Sequence, residues 1–124
     1  MRTDVKYLLL IYLNPEIWGS LTAERQAEVR AGHQTFQKTI TESGEMISTV
    51  ALDGPSASAV VRVRAGEMTA TDGPYVEAKE YLAGYYLVEC ADMNRARELA
   101  GLVPDAEVNA MEVRPVVFAA GLEG

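Results

Sequence analysis

Hydrophobic residues follow two spacings along this chain, and the two spacings predict different elements. Residues 5–13 are an almost unbroken run of Leu, Ile and Tyr, which predicts a strand that is apolar on both faces. Other segments alternate apolar and polar residues or are rich in β-branched residues, as is typical of strands. The pattern predicts strands over 5–13, 46–52, 58–64, 82–91 and 109–118, with a short extended segment over 68–71.

Two helices are predicted by apolar residues that recur three and four positions apart. The first is capped by Thr22 and continues to about residue 43, where the following glycine can end it. The second is capped by Asp92 and ends at Gly101, with Pro104 preventing its continuation. The inward stripe of the first helix is Val29, His33, Phe36 and Ile40, and that of the second is Met93, Ala96, Leu99 and Ala100.

The element order is strand, helix, two strands joined by a hairpin, strand, helix and strand. This order predicts an α+β fold of the ferredoxin-like, split βαβ type with an antiparallel sheet, whose two helices lie on one face. The other face would expose Leu8, Leu10 and Tyr12, or the residues that alternate with them, so we expect a second copy to cover it. The prediction is a homodimer, a dimeric α+β barrel, formed by a single domain over 1–118 with a C-terminal tail over 119–124.

Composition excludes several function classes. The 124 residues suffice for one hydrophobic core, and a net charge of -7 argues against direct nucleic acid binding, which needs a basic surface. One Cys cannot form an internal disulfide, and with one His no Cys/His zinc site is predicted, so we expect no metal and no cofactor. The apolar run near the N-terminus is too short to span a membrane and lacks a cleavage site, which predicts a cytoplasmic protein without membrane association.

The most distinctive stretch is 69–86, where a turn, charged residues and several tyrosines lie between two strands. Asp72-Gly73-Pro74 restricts the backbone and presents the Asp72 carboxylate at a strand end, although the same tripeptide at 53–55 has no such neighbours. The candidate contacts of a small-molecule ligand are Tyr12, Trp18, Tyr75, Glu77 and Lys79. For the aromatic residues the alternative is packing in a dimer core or a loop. For Glu77, Lys79 and Glu80 it is a solvated surface, which is favoured for Glu80 only, whereas Lys79 is a candidate to recognise an anionic ligand.

His33 is the only imidazole and therefore the natural general acid or base near neutral pH. The alternative is a core histidine bonded to a backbone carbonyl. Gly32 beside it costs about 1 kcal/mol in a helix relative to Ala, which room for a ligand or for a closely packed strand would explain. Asp72 orients His33, binds a substrate group or only forms its turn, and we predict that His33 and Asp72 meet in one pocket. Cys90 lies within a strand and is expected to be a small core residue.

Several blocks of the sequence together resemble one family over nearly the whole chain. They include residues 6–12, His33, 71–75, 77–80, 84–86 and 112–115. In their order and spacing they are similar to the YCII-related family in its DGPF form. Tyr75 stands where that form has Phe, and Ala78 where Thr is common, which removes a hydroxyl from the loop.

The resemblance implies a dimeric ferredoxin-like α+β barrel with a pocket that holds a His and an Asp. Some more distant relatives resemble dehalogenases that act on chlorinated lactones, and members of this form often accompany extracytoplasmic-function sigma factors. The expected function is a cofactor-free lyase or hydrolase of a small organic molecule, with His33 as acid/base and Asp72 as orienting or second carboxylate. The alternative is a non-catalytic module that senses a ligand or binds a partner in sigma factor regulation.

Overall fold

The structure, a computed structural model, describes residues 4–121. The outermost residues of the predicted domain and tail, 1–3 and 122–124, lie outside the described part. In chain order the elements are strand β1 Val5–Leu13, helices α1 Pro15–Ser20 and α2 Ala23–Glu42, strands β2 Met46–Ala51, β3 Ala59–Arg64, β4 Glu67–Asp72 and β5 Tyr81–Cys90, helices α3 Met93–Leu102 and α4 Asp105–Val108, and strand β6 Ala110–Pro115. A 3-10 turn over Pro55–Ala57 precedes β3.

Four strands form the main sheet in the order β2-β5-β1-β6, and each neighbouring pair is antiparallel. With the β3–β4 hairpin set aside, this is the strand order of the split βαβ arrangement, which confirms the predicted α+β ferredoxin-like fold. The central strand β1 pairs on both sides and is buried on both faces, with Leu9 and Ile11 toward the helices and Leu10 on the other face, which explains why its apolar residues are continuous rather than alternating.

The hairpin differs from the sequence prediction. The sequence predicts that the segment 58–64 pairs with the strand before it, but β3 pairs with β4 in a separate two-stranded sheet. Ala65 and Gly66 join the two strands, and both have positive φ, at 52° and 81°. Two consecutive residues with positive φ are typical of the tight turn that joins adjacent antiparallel strands. Because this turn is tight, β3 pairs with the segment that follows it, β4. Strand β2 pairs with β5 instead.

The core lies between the sheet and the helices. Leu9 of β1, Ile40 of α2 and Leu99 of α3 are fully buried, and Tyr86 and Val88 of β5 pack among them. The predicted inward stripe of α2 is confirmed, since Val29, Phe36 and Ile40 are its buried residues. The even-numbered residues of β5 also face the helices, which places Tyr86, Val88 and Cys90 in the core.

Helices α2 and α3 begin at the predicted cap residues, and two short helices, α1 and α4, are present in addition. The Thr22 hydroxyl accepts a hydrogen bond from Arg25 N at the start of α2, and the Asp92 carboxylate accepts one from Arg95 N at the start of α3. The short helix α1 is absent from the sequence prediction; the Asn14 side chain caps it. Helix α3 continues through Gly101 to Leu102, and Pro104 then leads into α4.

The sheet face opposite the helices is partly covered within the single chain. Leu10 and Leu87 are buried there, contrary to the expectation of solvent exposure for Leu10, whereas Val50 is exposed. Leu8, Tyr12 and Tyr85 are half-buried on the same face. In the part of the chain that the structure describes, no helix has the length and apolar character needed to cross a bilayer.

Candidate functional site

A cavity of about 330 Å³ lies between α2, the edge strand β2, strand β5 and the start of α4. Its walls combine small or branched apolar side chains with a cluster of polar ones. The polar lining residues are His33, Gln37, Thr49, Tyr86 and Asp105, and the others are Ile11, Val50, Ala51 and Ala83. Polar side chains that converge in an otherwise apolar concavity are typical of a ligand site.

Both nitrogens of the His33 ring are bonded within the chain. Nδ1 lies 2.7 Å from the Tyr86 hydroxyl, and Nε2 lies 2.5 Å from Oδ1 of Asp105. The Asp105 side chain is only 9% exposed and that of His33 is 24% exposed, so solvent competes little for these bonds. His33 is thus the centre of a polar cluster, here called the relay, that consists of Asp105, His33 and Tyr86.

The donors and acceptors in the relay follow from the chemistry of its members. An ionised carboxylate can only accept, so the hydrogen between His33 and Asp105 belongs to Nε2. In the neutral ring Nδ1 then has no hydrogen and accepts from the Tyr86 hydroxyl. When the ring binds a second proton, Nδ1–H donates to the Tyr86 oxygen instead, and the Tyr86 hydroxyl no longer donates to His33. The charge state of His33 therefore sets the direction of the Tyr86 bond.

Tyr86 is held in place on every side by the core. Its ring stacks on His33 at a centroid distance of 5.9 Å and meets the edge of Phe36 at 4.8 Å. Gln37 Nε2 donates to its hydroxyl over 3.3 Å. Burial raises the pKa of the Tyr86 hydroxyl and the charge of Asp105 raises it further, while the neighbouring polar side chains of Gln37 and Thr49 oppose the rise. The hydroxyl is therefore neutral at rest.

Asp105 reaches His33 because α4 packs closely against α2. Pro104, which precedes α4, lies over Gly32, and a Cβ on Gly32 would come within 2.5 Å of Pro104 Cγ. The space left by the glycine is thus filled by a proline ring of the following helix rather than by a ligand or a strand. Because Pro104 and Asp105 are adjacent, as are Gly32 and His33, this contact places the carboxylate beside the imidazole.

Asp72 is placed elsewhere. It is the last residue of β4, exposed and opposite Ala59, and Gly73 N donates to Ser58 O over 2.8 Å at the same point. The carboxylate bonded to His33 is that of Asp105, and Asp72 is not among the residues that line the relay cavity. The structure of the single chain therefore does not bring His33 and Asp72 together, and a functional role for Asp72 stays a prediction.

The five predicted ligand contacts are spread over other surfaces. Tyr12 and Lys79 line a second cavity of about 380 Å³, where the Tyr12 hydroxyl donates to Glu112 over 3.0 Å. Glu77 lines a third and larger cavity of about 640 Å³. Tyr75 is 73% exposed. Trp18 lies on α1, where its carbonyl accepts from Gln26.

Tyr75 contacts a cationic side chain at the surface, and Cys90 is buried. The guanidinium carbon of Arg62 lies 5.4 Å from the Tyr75 ring centroid, a cation–π contact that gives this ring a structural partner. Cys90 is buried, and burial raises the pKa of its thiol, which opposes a nucleophilic role. Within residues 4–121, no group of three or more His, Cys, Asp or Glu side chains is arranged to hold a metal ion.

Sequence reasoning missed four of the five polar residues that line the cavity: Gln37, Thr49, Tyr86 and Asp105. Two of them carried a usable signal. Tyr86 lies two and four positions before the core residues Val88 and Cys90 and therefore on the same face of β5. A tyrosine hydroxyl buried on that face needs a hydrogen-bond partner from the helices. Gln37 is one helical turn after His33 and therefore on the same side of α2. Asp105 follows a proline after α3, and nothing local distinguishes it from a surface acid.

Comparison with known proteins identifies a family profile and a relative that this chain resembles. The family profile described as YCII-related domain matches residues 5–119. An uncharacterized protein of Rhizobium meliloti (strain 1021) is 30% identical over 114 residues, which cover 90% of this chain and 92% of the relative. The profile includes every element from β1 to β6, and hence all three members of the relay.

Proposed function

The chain belongs to the YCII-related domain family, and we propose that it catalyses a cofactor-free proton transfer on a small organic molecule held in the relay cavity. The observation that carries this proposal is the continuous bonding from Asp105 through His33 to Tyr86 at the wall of that cavity. The reaction class is that of a lyase or hydrolase that works by general acid–base chemistry. Asp105 takes the orienting role that the sequence prediction gave to Asp72.

The proposed cycle moves one proton in each direction. A ligand proton passes to the Tyr86 oxygen while the Tyr86 hydroxyl proton passes to Nδ1 of His33. The resulting imidazolium keeps its Nε2–H bond to Asp105, whose negative charge stabilises it. The proton then returns from Nδ1 to Tyr86, and Tyr86 delivers a proton to the leaving group or to the carbanion. The three side chains end in their starting protonation states.

The raised pKa of Tyr86 is consistent with this cycle. A phenolate that formed freely in the buried site would lack a counter-charge, because burial disfavours the ionised form. In the cycle Tyr86 takes up the ligand proton while it gives its own proton to His33, so the phenol stays neutral and the imidazolium carries the positive charge. The relay therefore couples protonation of His33 to the presence of a ligand that supplies a proton.

Hydrogen–deuterium exchange tests the proposal whatever the net reaction is. A panel of small ketones, lactones and alcohol-bearing carbonyl compounds in D₂O is followed by proton NMR for loss of the signal next to the carbonyl. The native protein should accelerate exchange of at least one compound, and Tyr86→Phe should reduce that rate by about 10²-fold or more. Tyr85→Phe, on the opposite sheet face, is the matched control. Exchange that survives unchanged in Tyr86→Phe rejects the relay.

A homodimer in the cytoplasm is part of the proposal. The open sheet face carries exposed Val50 and half-buried Leu8 and Tyr85, an apolar surface of the kind that a second copy covers. Two such faces packed together would produce the closed barrel expected for this fold. The relay cavity lies on the helix side of β2, so the dimer is proposed to support the site rather than to occlude it.

A second candidate function is ligand binding without turnover, with a role in regulation by an extracytoplasmic-function sigma factor. It is favoured by the closed state of the relay: both nitrogens of His33 already have hydrogen-bond partners, and Tyr86 is only 1% exposed. A cluster satisfied in this way can serve to recognise a ligand and hold a conformation. Under this candidate no compound of the panel exchanges, yet a ligand that binds the native protein loses affinity in Thr49→Val or Gln37→Leu.

A further inference from the structure

We propose that the relay cavity selects uncharged molecules with an apolar body and a hydroxyl group, and that it discriminates against carboxylates and phosphates. This inference rests on the proposed function only in taking the cavity as the ligand site. Three features of the wall carry it: the charge of the lining, the balance of free acceptors and donors, and the apolar surface opposite the polar cluster.

The charge of the lining disfavours anions. Asp105 is the carboxylate of the cavity, and among the described residues that line it none is Lys or Arg. His33 can at most neutralise Asp105, to which it is already bonded over 2.5 Å. An anionic ligand would therefore lie near a buried negative charge without a cation of its own, and like charges repel strongly where solvent screening is weak.

The polar groups of the wall are mainly acceptors once their internal bonds are made. The Thr49 hydroxyl donates its hydrogen to Tyr85 O over 2.8 Å, which leaves its lone pairs for a ligand. The Tyr86 hydroxyl donates to neutral His33 and accepts from Gln37, so its remaining capacity is one lone pair. A ligand hydroxyl can donate to either oxygen, whereas a carbonyl oxygen finds a partner only in the second N–H of Gln37.

The remaining wall determines the body of the ligand. Ile11, Ala51 and Ala83 supply apolar surface, and the cavity of about 330 Å³ is near the lower end of the range for small-molecule sites. A compact ring or branched chain fits this volume with its apolar part against these residues. The hydroxyl would then point toward Thr49 and Tyr86.

Three probes with the same ring separate these features. Cyclohexanol, cyclohexanone and cyclohexanecarboxylate are titrated into ¹⁵N-labelled protein at pH 7, and the amide signals of Thr49, Ala51 and Ala83 are followed. We expect cyclohexanol to shift these signals with a Kd at least about tenfold lower than that of the carboxylate. The ketone should bind about two- to tenfold more weakly than the alcohol, as expected for one lost neutral hydrogen bond.

Variants assign the preference to named groups. Thr49→Val should remove most of the preference for the alcohol over the ketone, and Thr49→Ser should retain it because the hydroxyl is kept. Asp105→Asn should narrow the gap between alcohol and carboxylate by removing the negative charge. Ser48→Ala, next to Thr49 but opposite Leu87 on the other sheet face, is the control and should leave all three affinities unchanged.

The proposal is overturned if the carboxylate binds as tightly as the alcohol, or if none of the three probes shifts the cavity amides. Its failure is distinguishable from failure of the proposed function. If the alcohol binds but no Tyr86-dependent exchange is observed, the proposed ligand class stands and the proposed proton transfer is rejected. If an anionic compound binds in the cavity and its exchange depends on Tyr86, the proposed proton transfer stands and the proposed ligand class is rejected.

Discussion

Gly32 and Pro104 are in direct contact, and this contact positions the carboxylate of the relay. A Cβ built on Gly32 would lie 2.5 Å from Pro104 Cγ and 3.3 Å from Pro104 Cβ, so only glycine allows the two segments to approach this closely. The neighbours of these two residues, His33 and Asp105, are joined by a 2.5 Å bond. The absence of a side chain at Gly32 thus determines the distance between His33 and Asp105.

Gly32→Ala should destabilise the protein and loosen the relay. Alanine gains about 1 kcal/mol of helix propensity, but overpacking against Pro104 costs about 1–3 kcal/mol, so we expect a net loss of up to about 2 kcal/mol. The free energy of unfolding in urea measures this change. Proton exchange in the ligand panel should fall as well, because Asp105 moves away from His33.

Gly101→Ala is the matched control for this prediction. Gly101 also lies within a helix, α3, and an added Cβ there would meet nothing within 4 Å. The variant should gain about 0.5–1 kcal/mol of stability from helix propensity alone. If Gly32→Ala stabilises the protein by the same amount as Gly101→Ala, the Gly32–Pro104 contact does not constrain the site.

The sequence was sufficient for the features that depend on local pattern. The four- and three-residue steps of α2 placed His33 on the inward stripe, and the cap residues Thr22 and Asp92 located the starts of α2 and α3. These features follow from the geometry of a single element and its burial. The order of the four main strands then followed from the few topologies that such a sequence of elements permits.

The partner of His33 could not be predicted in this way. Asp105 is separated from His33 by 72 positions, and it reaches the ring only through the packing of α4 on α2. Gly32 indicates close packing, but a missing Cβ does not reveal which segment occupies the space. The β3 pairing escapes prediction for a related reason, because strand partners are chosen by turn geometry, and the positive φ of Ala65 has no clear signature in sequence.

Tyr86→Phe should lower stability at neutral pH and remove a source of alkaline instability. Loss of the hydroxyl leaves His33 Nδ1 and the Gln37 amide without this partner, which costs about 1–3 kcal/mol. The pKa of Tyr86 is raised above its ordinary value of 10.0 in the folded state. Its contribution to stability is therefore complete below pH 10 and declines as the pH rises from 10 toward the folded pKa, because the unfolded chain ionises first.

The measurement is the free energy of unfolding of both proteins from about pH 8 to pH 11.5. The difference between native protein and Tyr86→Phe should be constant below pH 10 and should shrink above it. Cys90, whose thiol pKa is also raised by burial, is present in both proteins and cancels in the difference. Tyr85→Phe should change stability at neutral pH by less than about 0.5 kcal/mol. A difference that stays constant across the whole range contradicts the assignment.

Val50→Glu should dissociate the proposed dimer while leaving the single chain folded. Val50 is 39% exposed on the open sheet face, so a glutamate there is solvated in the monomer. In a face-to-face dimer the same carboxylate would be buried without a partner, which typically costs about 2–5 kcal/mol, or about 30-fold or more in Kd. Sedimentation velocity at about 10 µM measures the result.

Leu102→Glu is the control for the dimer experiment. Leu102 is 56% exposed and lies on α3, in the helix layer on the other side of the sheet. This variant should sediment like the native protein. A native protein that sediments as a monomer at this concentration, or two variants that dissociate equally, would rule out the sheet face as the interface.

Asp105→Asn and Asp72→Asn distinguish the carboxylate that His33 uses. Asp105 is buried and bonded to Nε2, so its change to Asn removes a charge-assisted acceptor and should cost about 1–3 kcal/mol of stability. Asp72 is exposed at the end of β4, and its change should alter stability by less than about 0.5 kcal/mol. The free energy of unfolding in urea at pH 7 measures both.

The imidazole nitrogens of His33 report the same difference directly. In alkaline solution, long-range ¹H–¹⁵N spectra of the neutral ring should show the Nε2–H tautomer in the native protein and in Asp72→Asn, because Asp105 holds that hydrogen. Asp105→Asn should change the Nε2 shift or mix the two tautomers. A ring that responds to Asp72→Asn and not to Asp105→Asn would instead mean that the hairpin, from the same chain or a second copy, supplies the carboxylate in solution.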